Sequence, residues 1–354
     1  MSKSPIVIGI DASRSVHPKP TGVERYSTEI IRALLKEFSK EEVRLYTPTL
    51  IPDFPKKLQR RLWAPRLWSV VRLSLEMLLH KPNVLFVPAH VLPFFAPKRS
   101  FVTIHDVAFE KIPEAYSSQQ AKYLRWSTAR AVKKALKIIV PSEAVKEDLK
   151  HFYKISDERV VMVPHGPLPL SFPKKASLEL KDPLFFYLGR LEAKKNLGVL
   201  LNAFKLVQKK YSSARLVLAG SAGYGWSSLA QKASKQKGVE VVGFLPETAV
   251  AELYQSSTAF VFPSLEEGFG FPLLQAFQAG CPVVCSDLPV LHEVGANAVL
   301  YANPKDAKSF ANQMFKLIED PESAAVLSLK GKKRLEHFSW EKAAKTLAST
   351  FASK

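Results

Sequence analysis

Residues 259–286 read AFVFPSLEEGFGFPLLQAFQAGCPVVCS. The apolar run at the start and the apolar run PVVC near the end predict two short buried strands. Between them lie a loop with two glycines and a segment that predicts a helix, with Pro272 in its first turn. Strand, loop, helix and strand in this order are typical of a βαβ unit with two parallel strands.

The same alternation of apolar strand and amphipathic helix continues on both sides of this unit. Continuous apolar strands between helices predict parallel sheets that are covered on both faces. Two such series predict an α/β protein with two doubly wound, Rossmann-like domains. The predicted strands are Ile6–Ile10, Val43–Tyr46, Val84–Val87, Phe101–Ile104, Lys137–Val140 and Val160–Val163, then Leu184–Leu188, Arg215–Ala219, Val239–Val242, Ala259–Phe262, Pro282–Cys285 and Ala298–Tyr301.

A proline-rich stretch separates the two series. Residues 164–183 hold five of the 25 prolines and have no helical period, which predicts a linker. We expect an N-terminal domain over residues 1–165, a linker over 166–182 and a C-terminal domain over 183–337. The last segment, 338–354, predicts a helix that could pack on either domain.

Length and composition exclude several classes of protein. The chain has 354 residues, of which 47% are hydrophobic, and this is enough for two cores and excludes a disordered chain. Cys281 and Cys285 are too few for a disulfide scaffold. Four residues along a strand span about 13 Å, beyond the limit of about 7 Å for a disulfide. We expect both cysteines to be buried as small apolar residues.

The sequence predicts a cytoplasmic protein. The apolar run Pro5–Ile10 near the N-terminus is too short for a signal-peptide core. The best candidate for a membrane span, Leu62–Leu79, is interrupted by Arg66, Arg72 and Glu76. A span needs about 18 uninterrupted apolar residues.

The net charge of +19 indicates an anionic partner. Residues 1–177 carry +14 of it, and residues 56–81 alone hold seven Lys or Arg with Trp63 and Trp68 among them. A basic helix of this kind could lie peripherally in the headgroup layer of an anionic membrane, at its inner face. The alternatives are a solvated basic face over an ordinary core helix and a nucleic-acid site, although no nucleic-acid fold signature accompanies the charge.

The first series of strands is accompanied by two candidate ligand contacts, one at Gly22 and one at His105 and Asp106. Gly22 stands where a helix begins, so backbone N–H groups there could face an anion, although taken alone the pattern favours an ordinary turn glycine. His105 and Asp106 directly follow Phe101–Ile104. Because ligands of open parallel sheets bind beyond the carboxyl ends of strands, His105 is a candidate ligand contact. The alternative is a structural histidine beside a helix-capping aspartate.

Cations follow the first strand of the second series. Arg190, Lys194 and Lys195 lie after Leu184–Leu188 and just before a predicted helix. A planar guanidinium fork and a mobile ammonium group in this position predict a diphosphate site. A solvated loop is the alternative.

The glycine loop of the opening stretch predicts the sugar end of the same site. Gly268 and Gly270 permit close approach of a ligand to the backbone. The helix that follows would direct its partial positive charge at the ligand. Glu267 could accept hydrogen bonds from ligand hydroxyls, and Gln275 lies one turn into the helix. With the cations, these residues predict a sugar-nucleotide site in a cleft between the two domains.

In these motifs the chain resembles the retaining glycosyltransferases of family 4, which have the GT-B fold of two Rossmann-like domains facing a central cleft. The resemblance covers nearly the whole chain and is carried by TGVERYSTEIIRALL, VTIHDVAFEKIPEAYS, PSEAVKEDL, LGRLEAKKNL, VVGFLPETAVAELY, FPSLEEGFGFPLLQAFQAGCPVVCSDLPVLHEV and FSWEKAA. TGVERY and TIHD look most like mannosyltransferase-type members that build lipopolysaccharide, O-antigen or exopolysaccharide glycans.

The resemblance implies a role for each candidate residue. Gly22 would lie near the donor phosphate, and His105 would touch the transferring sugar or its phosphate, with Asp106 beside it. Arg190 and Lys195 would bind the diphosphate and neutralise the leaving group. The C-terminal helix in such proteins crosses back to the N-terminal domain.

The glycine loop carries one departure from the family pattern. Glu267 would hold a sugar hydroxyl, helped by the backbone amides of Gly268, Phe269 and Gly270. Family members usually have a second glutamate eight residues on that holds the nucleotide ribose, and here that position is Gln275. An amide accepts through one oxygen only, so we expect donor binding to be weaker by about 1 kcal/mol, or about fivefold.

The resemblance predicts transfer of a hexosyl unit, of mannose or glucose type, from a GDP- or UDP-sugar to a glycan or lipid-linked acceptor, with retention at the anomeric carbon. No Asp-x-Asp motif occurs, and the cations already supply positive charge, so we expect no metal and no cofactor beyond the donor. One alternative is a catalytically reduced GT-B protein that binds a sugar nucleotide or a partner. A nucleic-acid-binding protein is a third hypothesis, motivated by charge alone.

Overall fold

The computed structural model describes residues 6–17, 20–38, 43–63, 68–172 and 182–353. The chain divides into two compact units. The first comprises Met1–Glu110, Gln119–Gly166 and Ser339–Lys354, and the second comprises Lys111–Ser118 and Pro167–Phe338.

The first unit is built on a parallel sheet. Its strands are β1 (Ile8–Asp11), β2 (Val43–Thr47), β3 (Gln59–Arg61), β4 (Val84–Val87), β5 (Ser100–Thr103), β6 (Lys137–Val140) and β7 (Val160–Met162). The α-helices up to residue 166 are α1 (Gly22–Glu37), α2 (Leu73–Leu79), α3 (Ala108–Lys111), α4 (Ser118–Lys134) and α5 (Glu143–Tyr153). The strand order is β3-β2-β1-β4-β5-β6-β7, and every residue of β1, β4 and β5 is buried, as expected for strands covered on both faces.

The second unit has a six-stranded parallel sheet in the order β10-β9-β8-β11-β12-β13. Its strands are β8 (Leu184–Leu188), β9 (Arg215–Ala219), β10 (Val239–Gly243), β11 (Ala259–Phe262), β12 (Val283–Ser286) and β13 (Leu300–Ala302). Its helices are α6 (Leu197–Lys210), α7 (Ser227–Lys235), α8 (Glu247–Ser256), α9 (Phe271–Ala279), α10 (Pro289–Gly295), α11 (Ala307–Glu319) and α12 (Pro321–Arg334).

Each sheet reverses its strand order beside its first strand. In the first unit β1 lies between β2 and β4, and in the second β8 lies between β9 and β11. The predicted α/β fold class with two doubly wound parallel sheets is therefore confirmed. Ligands of such sheets bind beyond the carboxyl ends of the strands at the point of reversal.

The last helix, α13 (Trp340–Ala352), belongs to the first unit. The Phe351 ring lies 5.3 Å from that of Phe86 in β4 and 4.8 Å from that of Phe101 in β5. Arg99 donates to the Phe351 carbonyl at 2.5 Å. The amphipathic sequence of α13 did not specify which domain the helix packs on. These contacts attach it to the first sheet.

Residues 56–81 do not form the single basic helix that the charge pattern suggested, and that expectation was wrong. They include a 3₁₀ turn at Lys56–Leu58, strand β3, a π-helical turn at Trp68–Arg72 and α2, while residues 64–67 lie outside the described residues. β3 was not predicted because it is short, polar and at the edge of the sheet, where charged side chains are common.

Two cations of residues 56–81, Arg60 and Arg72, neutralise the buried carboxylate of Glu76. Glu76 in α2 is 1% exposed. Its carboxylate lies 2.5 Å from Arg60 Nε and 3.6 Å from Arg72 Nη1. Trp68 Nε1 donates to Asp11 Oδ1 at 3.0 Å, whereas the Trp63 side chain is 74% exposed. The two tryptophans therefore do not form one surface stripe.

Three further expectations concern the cysteines, the linker and membrane spans. Cys281 and Cys285 are buried with free thiols, as predicted, and burial raises the pKa of Cys281 to about 12. Of the predicted linker, residues 173–181 lie outside the described residues. None of the helices within the described ranges combines the length and the apolar character that a membrane crossing requires.

Candidate active site

The predicted diphosphate loop of the second unit lies directly after β8. Gly189 and Arg190 follow the strand, and a 3₁₀ turn at Ala193–Lys195 leads into α6. Arg190 is exposed, with its Nε 3.6 Å from Glu192 Oε2. The guanidinium therefore stands at the carboxyl edge of the sheet, where a ligand can reach it.

Asn196 fixes this loop to its neighbours. It has a left-handed backbone conformation with φ of 57°, which asparagine tolerates better than most residues. Its side-chain amide donates to the carbonyls of Pro263 at 3.0 Å and Pro304 at 2.7 Å. The backbone N–H of Leu265 donates to the Lys194 carbonyl at 2.9 Å. The lysine loop and the glycine loop are thus held together by hydrogen bonds.

The structure brings Lys195 and Glu267 into direct contact. Lys195 Nζ lies 2.5 Å from Glu267 Oε1, and the two side chains are 13% and 10% exposed. Ser264 donates its hydroxyl hydrogen to the same carboxylate oxygen at 2.6 Å. A shielded ion pair is stronger than one in open water, so each group orients the other. Both contacts are made by Oε1 of Glu267. A sugar hydroxyl could donate a hydrogen bond to the other carboxylate oxygen, Oε2.

The glycine loop ends at the N-terminus of α9. Gly270 is the N-cap residue with φ of 106°, and a Cβ there would lie 3.1 Å from Leu291 Cδ2. Both observations favour glycine at this position. Pro272 lies in the first turn, as predicted. The Phe269 ring packs against Phe271 and Phe338 at 5.6 Å and is 5% exposed, so Phe269 can serve a ligand through its backbone only.

Gln275 lies in the second turn of α9 and is 5% exposed. Little of this residue is therefore open to a ligand. The ribose contact of Gln275 stays a prediction.

In the first unit, Gly22 is the first residue of α1 and is exposed. The Thr21 backbone N–H donates to Glu24 Oε2 at 3.0 Å, and the two residues form a capping box. The spacing T-x-x-E is a known sign of a helix start, so the sequence could have revealed Glu24. Arg14 Nη1 lies 3.6 Å from the same carboxylate.

His105 follows β5 and is held in one tautomer. Its Nε2–H donates to the Pro88 carbonyl at 3.1 Å, and its backbone N–H donates to His90 Nε2 at 3.1 Å. Burial lowers the pKa of the His105 imidazole. A neutral ring with the hydrogen on Nε2 leaves a lone pair on Nδ1, which can accept a hydrogen bond.

Aromatic rings support His105 from behind. The Tyr26 ring lies 4.7 Å from His105 and 4.3 Å from His165, and the His165 ring stacks on Trp340 of α13 at 5.9 Å. Burial, with the nearby His105, keeps the pKa of His165 well below its usual value. Sequence reasoning missed Tyr26, His165 and Trp340 because they lie far apart along the chain.

Asp106 has a structural contact. Its Oδ1 accepts a hydrogen bond from the Ala108 backbone N–H at 3.1 Å at the start of α3. This is the capping geometry that the sequence offered as the alternative to a catalytic role. The catalytic role of Asp106 stays a prediction.

Comparison with known proteins identifies the family. Residues 20–166 match the model of Glycosyltransferase Family 4, and residues 171–334 match that of Glycosyl transferases group 1. The chain belongs to these glycosyltransferases. The resemblance drawn from the sequence motifs is confirmed.

Curated relatives of this glycosyltransferase include two mannosyltransferases. It is 26% identical to O-antigen chain mannosyltransferase B of Escherichia coli, over 91% of this chain and 93% of that protein. It is 27% identical to O-antigen chain mannosyltransferase RfbU of Salmonella typhimurium, over 78% and 76% of the two chains.

Solved structures share the fold at lower identity. WaaG, described as a glycosyltransferase involved in lipopolysaccharide biosynthesis, aligns with a TM-score of 0.77 at 16% identity, over 99% of this chain and 100% of that chain. Anabaena Alr3699/HepE, solved in complex with UDP-glucose, aligns with a TM-score of 0.75 at 16% identity and the same coverage. At this identity the likeness supports the fold alone.

The candidate residues of this glycosyltransferase are therefore described for each unit by itself. In the second unit, Lys195 and Glu267 are paired, and the loop of Arg190 is joined to theirs. In the first unit, Gly22 and His105 lie at the carboxyl edge of the sheet, after β1 and β5 respectively. In the part of the chain that the structure describes, no group of three or more His, Cys, Asp or Glu could hold a metal ion.

Proposed function

We propose that this glycosyltransferase moves a hexosyl unit, of mannose type, from a nucleoside diphosphate sugar to a hydroxyl of a glycan or lipid-linked acceptor. The observation that carries the proposal is the shielded Lys195–Glu267 pair, joined to the loop of Arg190 beyond β8 and β11. The names of the relatives support mannose and O-antigen synthesis. They give no support to a catalytically reduced binding protein.

The charges of the second unit suit a diphosphate. Lys195 is already oriented by Glu267, so it can share its charge with a bound diphosphate at little cost in side-chain ordering. The exposed Arg190 adds a planar fork for phosphate oxygens. Both cations would stabilise the negative charge that develops on the departing nucleoside diphosphate.

The resemblance implies a same-face substitution with retention. The bond between the anomeric carbon and the donor phosphate oxygen breaks, and the bond from the acceptor oxygen forms on the same face. The acceptor proton passes to the donor phosphate, so no enzymic nucleophile is needed. Glu267 and the Nδ1 lone pair of His105 would accept hydrogen bonds from hydroxyls of the sugar and fix its orientation.

Replacing Lys195 by alanine tests this proposal. Lys195→Ala should nearly abolish transfer, because it removes the positive charge that stabilises the departing diphosphate. It also leaves Glu267 without its ion-pair partner. Transfer and donor hydrolysis are measured with GDP- and UDP-sugars. Lys210→Ala is the matched control, since it removes an exposed ion pair with Glu319 in the same unit. Lys195→Ala activity within about threefold of wild type, a small effect for a transition-state contact, would refute the diphosphate role.

Metal independence is part of the proposal. We expect wild-type transfer to persist in EDTA, because Arg190 and Lys195 provide the charge that a divalent cation would otherwise supply. Loss of transfer that Mn²⁺ or Mg²⁺ restores would contradict it.

A further inference from the structure

The first unit exposes apolar side chains from three separate segments. They are Leu75 and Leu78 of α2, Phe94 and Phe95 of the loop after β4, and Tyr123 and Trp126 of α4, and we call these six residues the apolar patch. Their exposed fractions run from 44% for Trp126 to 56% for Leu78. Single exposed apolar residues are ordinary, but a contiguous group indicates an interaction surface.

Contacts join the three segments that carry the patch. The Phe94 backbone N–H donates to Ser74 Oγ at 2.7 Å, which joins the loop to α2. The Phe94 ring lies 6.2 Å from the Trp126 ring, which joins the loop to α4. Trp126 in turn lies 5.9 Å from Tyr123.

Arg130 holds the loop in place from beneath. Its guanidinium donates to the carbonyls of Leu92 at 2.6 Å and Pro93 at 2.8 Å and lies 4.6 Å from the centre of the Phe94 ring. Two hydrogen bonds and a cation–π contact restrain the exposed Phe94 and the loop that carries it. The patch is therefore present before any partner binds.

The segments that carry the patch are strongly basic. Residues 68–81, 91–99 and 118–134 contain nine Lys or Arg and a single carboxylate. That carboxylate, Glu76, is buried and paired with Arg60 and Arg72. Lys98, Lys122 and Lys133 are exposed. The apolar patch therefore lies in a positive field.

We propose that the apolar patch docks on the headgroup layer of an anionic phospholipid bilayer. Aromatic rings favour the membrane interface, aliphatic tips gain by leaving water, and surrounding lysines are attracted to anionic lipid. A second copy of the chain fits less well, because two patches with the same positive surround would repel each other. The inference deepens the proposed function, since a lipid-linked acceptor lies at such a surface.

Vesicle flotation of the full chain tests this docking. Wild type should float with vesicles of phosphatidylcholine containing phosphatidylglycerol and much less with phosphatidylcholine alone. Leu78→Ser/Phe95→Ser should lower the partition coefficient at least about tenfold, because two apolar side chains no longer leave water. Val326→Ser/Leu329→Ser on α12 is the matched control, with side chains of similar exposure in the second unit, and should float like wild type.

Two further measurements separate the apolar and electrostatic contributions. Lys98→Glu/Lys122→Glu should reduce flotation with the anionic vesicles and leave the weak binding to neutral vesicles unchanged. Brominated lipid should quench tryptophan fluorescence of wild type more than that of Trp126→Phe. Circular dichroism and melting temperature show that each variant is folded.

Three results would overturn the docking. They are equal flotation of Leu78→Ser/Phe95→Ser and the α12 control, no flotation of wild type, and a wild-type dimer in light scattering that Leu78→Ser/Phe95→Ser dissociates. Donor hydrolysis should be the same in wild type and Leu78→Ser/Phe95→Ser, because the patch does not include the donor residues. Absence of donor hydrolysis in wild type would refute the transferase proposal and leave the flotation result intact.

Discussion

At the scale of single residues, the second unit combines a shielded ion pair with one position that departs from the family pattern. Lys195 and Glu267 are shielded from water and orient each other. Gln275 stands where the resemblance implies a glutamate, and it is 5% exposed in α9. Burying a neutral amide costs less free energy than burying a carboxylate. This lower cost explains how glutamine is tolerated at this position.

Gln275→Glu should bind the donor about fivefold more tightly, because a carboxylate accepts hydrogen bonds from ribose hydroxyls more strongly than an amide does. It should also lower the melting temperature without nucleotide, since a charge is then buried. Calorimetry and thermal unfolding measure the two effects. Gln278→Glu adds the same charge one turn further along α9 as a control. Unchanged or weaker donor affinity of Gln275→Glu would show that Gln275 does not face the ribose.

At the scale of elements, Glu76 ties an edge strand to a helix. Its carboxylate on α2 pairs with Arg60 of β3, and Arg72 lies one turn before it. β3 could not be predicted from local pattern, because its three residues include two arginines and resemble a basic helix or loop. The strand exists since it pairs with β2 and because a buried carboxylate holds one of its arginines.

Glu76→Gln should reduce the free energy of unfolding by about 1–3 kcal/mol, because Arg60 and Arg72 then face a neutral amide instead of the buried carboxylate that compensates their charge. Denaturant unfolding measures this loss. Glu341→Gln, which removes an exposed pair with Lys345, is the control and should leave the midpoint unchanged. Equal midpoints for the two variants would mean that Glu76 contributes nothing to the attachment of β3.

At the scale of the whole molecule, histidines buried in the first unit couple stability to pH. Burial lowers the pKa of His105 and lowers that of His165 further, while both titrate near 6.5 in the unfolded chain. Below that pH the unfolded chain binds more protons than the folded one. The free energy of unfolding should therefore fall as the pH decreases through about 6.5.

Urea unfolding at pH about 7.5 and about 5.5, on either side of that pKa, measures this dependence. His165→Gln should make the loss of stability between the two pH values smaller than in wild type, because one of the buried groups no longer titrates. His151→Gln removes an exposed histidine from α5 and should keep the wild-type slope. A wild-type slope in His165→Gln would contradict the assignment.

The sequence by itself determined the two series of strands apart from β3, the glycine loop and the candidate residues after β5, β8 and β11. These features are specified by short stretches of sequence, because apolar periodicity, helix starts and glycine positions depend on a few neighbouring residues. Only the tertiary structure decided that Lys195 pairs with Glu267, that His165 and Trp340 stand behind His105, and that three segments form the apolar patch. Those contacts join residues far apart in the chain, and they depend on the strand order, which local patterns do not specify.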